Sequence, residues 1–341
     1  MSRVYNVQSL RGLAALSVVI GHAYSLKLVT VPTWLATCGY SGVDLFFAIS
    51  GFIICQTVTR TRQAGSPARQ ALIFLARRYW RIYSLYWVGL AAVVLTLSVT
   101  LLPRAPCDQP AWRYVLLMST GNCFIPPAWT LPFELYFYTV VAVLVALVPR
   151  HIYHSVAVLM LMQVAVVIIS GSAYDDTSFW TSPLILEFGV GCAVARLAQA
   201  GFRRWPTQAL AAGAAIFALG TIYAMNIDPA PPAPLPRALT FGLGGALILY
   251  ALVTLEEGGR LILPAFTQRL GDASYSLYLW HWPLVMLGVK LALGWYSVVA
   301  IVGWSFASYH LVEKPLLSVL DQAIAGRRRP ANASTHGGLG E

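Results

Sequence analysis

An arginine and a histidine share one apolar stretch near the start of the chain, NVQSLRGLAALSVVIGHA, from Asn6 to Ala23. An imidazole can take a proton from an alcohol or carry an acyl group itself, and a guanidinium can hold an anion. An α-helix turns 100° per residue, so the eleven steps from Arg11 to His22 end about 20° past three full turns. The two side chains therefore lie on one helix face, roughly 16 Å apart along the axis. Taken alone, Arg11 is better read as snorkelling to lipid headgroups, and His22 as satisfying a neighbouring helix. Ionisable groups at bilayer depth are costly and mark functional sites by default, so the aligned pair is better read as a site.

Other polar residues stand out from similar surroundings. Asp44, in SGVDLFFAISGF (Ser41 to Phe52), is expected to open the second helix on the outer side. There it either answers the helix dipole or faces His22 and fixes its tautomer. Arg77, Arg78 and Arg81 lie in LARRYWRIYSLYW, at the start of the third helix. Arg78 and Arg81 are three apart and share a face. They fit phosphate binding, or membrane anchoring beside the aromatic belt of Tyr79, Trp80, Tyr83 and Tyr86. Glu134, in WTLPFELYFY, is expected about one turn inside the fourth helix, toward the outer face, where an acid needs a partner or a pocket. In SYSLYLWHWPL, Tyr278 and His281 fall on one turn, and His281 competes with His22 as the reactive histidine. Glu313 precedes Lys314 after the tenth apolar run and has a plainer reading as an interfacial ion pair.

These residues need a membrane scaffold to position them. Of the 341 residues 58% are hydrophobic and only 11% charged, against about a quarter charged in soluble domains. That makes the chain an all-α, polytopic membrane protein. The net charge of +10 comes from residues flanking apolar runs, not from a soluble basic face, so no nucleic-acid partner is expected. No cleavable signal peptide is evident. Apolar runs lie near 8–26, 41–57, 82–102, 128–148, 153–171, 179–198, 207–226, 237–255, 274–293 and 295–313, or about ten helices. The second is short, and acidic residues make the sixth and tenth the least secure. With the N-terminus in the cytoplasm, seventeen of the 23 Lys and Arg residues fall inside and five outside, with Arg11 in the membrane. Both termini are then cytoplasmic.

The membrane domain is expected over 1–320, followed by a disordered basic cytoplasmic tail over 321–341, whose triple arginine touches anionic lipid. The sequon at Asn332 falls on the wrong side for glycosylation. The Pro-rich stretch 227–237 is an extended connector. Five cysteines show neither CxxC nor metal-ligand spacing, so no metal is expected. Cys107 and Cys123 share the outside loop 103–127 and can pair in an oxidising compartment; Cys38 competes, and two free thiols are the alternative.

Seven stretches together resemble the acyltransferase-3 family of membrane O-acyltransferases, which includes exopolysaccharide, O-antigen and Nod-factor acetyltransferases. They are LRGLAALSVVIGHA, SGVDLFFAISGF, RRYWR, WTLPFELYFY, LEFGVG (Leu186 to Gly191), SYSLYLWHWPL and VEKPL, spread from residue 10 to residue 316. The resemblance implies transfer of an acyl group, commonly acetyl, from cytoplasmic acyl-CoA to the hydroxyl of a saccharide or lipid-linked saccharide, in a bacterial inner membrane. It points to Arg11 and His22 as the core of the site, and to Arg78 and Arg81, with Arg77 beside them, as the donor element. Asp44 and Glu134 join Arg11 and His22 as candidate catalytic residues. Trp129, Tyr278, His281 and Glu313 are candidates for binding substrate. His22 then acts as base or as acyl carrier, and Arg11, too far along the helix to reach an oxyanion there, orients the donor. The competing reading is a transporter or flippase for a glycan or anionic lipid intermediate, with Arg11, Asp44, Glu134 and His281 lining its path.

Overall fold

Runs of Leu, Ala and Val separated by Pro and Gly breaks give helices, and helices are all the regular structure there is among the described residues. The structure, a computed structural model, describes residues 4–61, 66–100, 107–170, 179–227 and 233–326. In chain order the helices are α1 (Tyr5–Ser25), α2 (Thr33–Thr61), α3 (Pro67–Thr100), α4 (Ala111–Val115), α5 (Leu131–Leu147), α6 (Ile152–Ser170) and α7 (Ile185–Gln199). They continue with α8 (Pro206–Met225), α9 (Pro234–Arg237), α10 (Leu243–Glu257), α11 (Ala265–Asp272), α12 (Ser274–Lys290), α13 (Trp295–Ser308) and α14 (Lys314–Gly326). Several begin on proline, whose missing N–H costs nothing in the first turn. Two wide π-type turns interrupt otherwise continuous helices: Ala238–Gly242 joins α9 to α10, and Tyr309–Glu313 joins α13 to α14.

The chain is a multi-pass membrane protein. Each of the ten apolar runs overlaps a long helix, and six helical stretches are long and apolar enough to cross a membrane. Of the rest, α1 is long enough but carries Asn6, Gln8, Ser9, Arg11 and His22, while α7, α12 and α13 are shorter. α6 and α8 turn large apolar side chains such as Leu161, Ile168 and Leu219 outward, as a surface facing lipid does. α2 and α10 are instead mostly enclosed by other helices.

Several boundaries differ from expectation. α2 is 29 residues long, because Thr33 to Tyr40 continue the helix ahead of the apolar run. Asp44 therefore lies well inside the helix and cannot cap it. α3 likewise starts at Pro67, so Arg77, Arg78 and Arg81 sit three turns inside it, not at its start. α14 continues to Gly326, past the expected domain boundary at residue 320. The triple arginine, Asn332 and residues 228–232 of the Pro-rich connector lie outside the described residues.

The helices carrying the polar residues approach closely through glycine. A Cβ added at Gly39 would fall 2.6 Å from the Gly21 Cα, and one at Gly42 would fall 2.4 Å from the Ala14 carbonyl oxygen. Only a hydrogen there lets α1 and α2 touch backbone to backbone. The first turn of α1 is held from the far end of the chain. The Glu256 carboxylate accepts from the backbone N–H groups of Tyr5 (2.7 Å) and Asn6 (2.6 Å), an anion where the helix dipole is positive. The Asn6 amide donates to the carbonyls of Leu252 and Leu261.

The loop between α3 and α5 is strapped down. Cys107 and Cys123 are joined, with Cα atoms 5.3 Å apart, while Cys38 is a free thiol near the Thr221 hydroxyl. Tyr86 donates to the Tyr114 carbonyl and accepts from the Asn122 amide; Tyr83 and Trp87 donate to the carbonyls of Leu116 and Val115. Tyr83 and Tyr86, expected as part of an aromatic belt, here satisfy the backbone of the loop together with Trp87.

Candidate active site

Three helices direct charged groups into one cavity. Arg11 of α1 donates to the Ser274 hydroxyl (2.9 Å) and to the Gln8 side-chain oxygen (3.1 Å). Arg78 and Arg81 of α3, on one face as their spacing requires, line the same space. Arg78 donates to the Thr57 hydroxyl (3.3 Å), and its guanidinium carbon lies 5.6 Å from the Phe74 ring and 5.7 Å from the Tyr138 ring. Glu134 of α5 accepts a hydrogen bond from Tyr138, whose oxygen is also 3.1 Å from the Ser50 hydroxyl. Three guanidiniums thus surround an open cavity with one carboxylate among its lining residues, and Arg11 and Arg78 hydrogen-bond neutral groups. Such a cavity favours an anionic ligand.

The walls become apolar and aromatic through Val43, Phe46, Phe47 and Ile53 of α2 and Tyr275 and Tyr278 of α12. Tyr278 leads to the second chemical group. Its hydroxyl donates to the Pro127 carbonyl and accepts from Thr130 at 2.7 Å. Its ring centre is 5.9 Å from that of His281, which in turn is 5.0 Å from that of His22. His22 Nδ1 lies 3.0 Å from the Val18 carbonyl oxygen and 3.2 Å from His281 Nε2, and His281 Nδ1 contacts the Tyr278 carbonyl. Trp282 stands edge-on to His22. α1 is unbroken between Arg11 and His22, so the two histidines lie roughly 16 Å along it from Arg11, beyond the Tyr278 wall of the cavity. The two histidines expected to compete are in contact.

The remaining candidates are placed differently. Asp44 does not face His22. Gly42 packs beside Ala14 and Gly39 beside Gly21, which sets Asp44 roughly two turns away along α1. Its carboxylate is held by Arg237, with contacts of 3.2 Å from Nε and 2.8 Å from Nη2. Trp129 belongs to the same cluster, with the Arg237 guanidinium carbon 5.5 Å from its ring centre. Glu134 shares the cavity with the arginines, because α5 is entered through the 3-10 turn Pro126–Thr130 and its first turn already lies against the cavity. Arg77 is one residue from Arg78, a 100° rotation; it points away from the cavity and pairs at the surface with Asp321 of α14 (3.0 Å). Glu313 is buried, and accepts from Ser276 (2.7 Å) instead of pairing with the exposed Lys314 at an interface. The wide turn Tyr309–Glu313 brings it inward.

Four residues were not anticipated. Tyr138 and Ser50 carried no signal beyond their motifs. Arg237 was counted as an outside-loop charge, although it abuts an apolar run. Glu187, an acid in the sixth apolar run, is buried within electrostatic reach of Asp44 and Arg237. Among the described residues no group of three or more His, Cys, Asp or Glu is placed to hold a metal ion.

Residues 4–310 match the family model described as an acyltransferase domain. The chain is 30% identical to the exopolysaccharide production protein ExoZ of Rhizobium meliloti, across 89% of this chain and 96% of that one. It is 26% identical to the putative membrane-bound transacylase BcsY of Komagataeibacter xylinus, across 97% and 87% of the two chains. It is 23% identical to the peptidoglycan O-acetyltransferase OatA of Listeria monocytogenes, over 84% of this chain and 50% of that one. No solved structure matches.

Proposed function

The chain belongs to the acyltransferase-3 domain family, and from that premise we propose that it transfers an acyl group, commonly acetyl, from acyl-CoA to a saccharide hydroxyl. The acceptor is an exported or cell-surface polysaccharide or its lipid-linked precursor. The observation that carries this reading is the cavity ringed by three arginines, with the paired histidines next to its Tyr278 wall. Phosphates of the donor meet Arg11, Arg78 and Arg81, where guanidiniums offer bidentate contacts. The slender pantetheine arm passes Phe46 and Tyr278, which brings the thioester to His22. The relatives named for exopolysaccharide production and peptidoglycan O-acetylation support a glycan acceptor.

Chemically, an alcohol is a poor nucleophile at neutral pH and needs a positioned base, which a neutral imidazole provides. His22 removes the hydroxyl proton while the oxygen adds to the thioester carbonyl, and the departing sulfur takes that proton to leave as the CoA thiol. Asp44 and Trp129 act with Arg237 in holding the bundle, Glu134 balances the arginines, and Glu313 fixes α12 through Ser276. Both termini are cytoplasmic, about ten helices cross a bacterial inner membrane, and the donor enters from the cytoplasm; the seventeen-to-five charge asymmetry supports this orientation. The domain of 1–320 extends to the end of α14, and the basic residues beyond it are a tail against anionic lipid.

The test uses membranes containing the wild-type protein or His22→Ala, each given radiolabelled acetyl-CoA and a crude glycan extract. Label should reach glycan with wild type only. Equal transfer by both proteins would remove His22 from the chemistry. If a panel of acyl-CoAs gives no transfer with wild type, a transporter becomes the better reading.

A further inference from the structure

Two backbone carbonyls fix where the protons of the histidine pair lie. A carbonyl oxygen only accepts, so a ring nitrogen bonded to one carries the single N–H of a neutral imidazole. His281 Nδ1 contacts the Tyr278 carbonyl, which leaves a lone pair on its Nε2. His22 Nδ1 lies 3.0 Å from the Val18 carbonyl and so carries its own hydrogen. These two assignments, made from different helices, agree where the rings meet. The His22 N–H, shared with Val18, faces the His281 Nε2 lone pair at 3.2 Å. Among the described residues, Nε2 of His22 is the one ring nitrogen of the pair without a hydrogen-bond partner, and it is left for substrate.

We infer that His281 is a positioning residue for His22, holding it in the tautomer with Nε2 unprotonated and supporting its charge as it takes a proton. The inference rests on the acyl-transfer reading above. As the acceptor O–H proton moves to His22 Nε2, the ring becomes an imidazolium and its Nδ1–H contact with His281 becomes charge-assisted, hence shorter and stronger. When the leaving sulfur takes the proton from Nε2, the contact returns to its resting form. His281 neither gains nor loses a proton over the cycle. It fills the orienting place that a carboxylate occupies in a serine–histidine–aspartate triad, without adding a negative charge to a fully buried position. The Tyr278 hydroxyl, anchored to Pro127 and Thr130, pins the turn of α12 that carries His281.

The experiment compares full-length wild type, His22→Ala, His281→Leu and His281→Gln in membranes, with radiolabelled acetyl-CoA varied against a fixed crude glycan extract. For His281→Leu, kcat should fall about a hundredfold while the KM for acetyl-CoA stays within about twofold. His281→Gln, whose amide oxygen can accept from His22, should recover to within about tenfold of wild type. A His281→Leu rate within about threefold of wild type, with His22→Ala inactive, overturns the inference. So does a glutamine variant as impaired as the leucine one. If wild type transfers no label, or His22→Ala transfers as well as wild type, the acyl-transfer reading itself falls and this inference with it.

Discussion

Two clusters of arginine and carboxylate use helix α2 as a shared wall, and they are built on opposite terms. In one, Arg237 grips Asp44 through two contacts, and the side chains are 6% and 0% exposed. In the other, Arg11, Arg78 and Arg81 outnumber Glu134 around open space. The first cluster pairs the protein's own charges and fastens α2 to the end of α9. The second carries an excess of positive charge around open space, which suits an anionic ligand. A charged residue inside a membrane protein therefore says little by itself; whether its partner is another side chain separates holding from binding.

Breaking the closed cluster should have the largest effect. Asp44→Ala removes the carboxylate that Arg237 contacts twice, which should lower stability by about 3–5 kcal/mol, while replacing both with Asp44→Leu and Arg237→Leu should recover most of that loss. Thermal unfolding in detergent measures both, and a single variant as stable as wild type would erase the distinction between the clusters. The open cluster should respond in substrate affinity instead. Arg78→Lys keeps the charge but loses the planar fork, so the KM for acetyl-CoA should rise about tenfold while the melting temperature stays near that of wild type. The smallest effect belongs to Arg77, whose ion pair with Asp321 is exposed. Arg77→Ala should cost no more than about 1 kcal/mol and leave label transfer within about twofold of wild type.

Much of the bundle was legible because helix periodicity and hydropathy are local. The eleven-residue offset of Arg11 and His22, and the three-residue offset of Arg78 and Arg81, both survive as shared faces. What stayed hidden depends on partners far apart in the chain. Arg237 meets Asp44 across 193 residues, and no pattern around either residue announces the other. Asp44 was misplaced because Thr33 to Tyr40 are too mixed in polarity to be recognised as helix. Arg77 was grouped with its neighbours by composition, though one step along a helix was enough to turn it out of the cavity. The histidine pair was half visible: each ring stood out alone, but their contact required knowing that α1 packs on α12.

The contacts of α1 also impose an order in time. Asn6 bonds to Leu252 and Leu261, Arg11 to Ser274 and His22 to His281, so α1 waits for partners about 250 residues later. At roughly 5–20 residues per second, synthesis leaves that helix without them for tens of seconds. During that interval Arg11 is a charge in the bilayer without its final neighbours, at a cost of about 2.5–3.5 kcal/mol on insertion scales. A ribosome that stops anywhere before α12 thus releases a product in which Arg11 lacks Ser274 and His22 lacks His281.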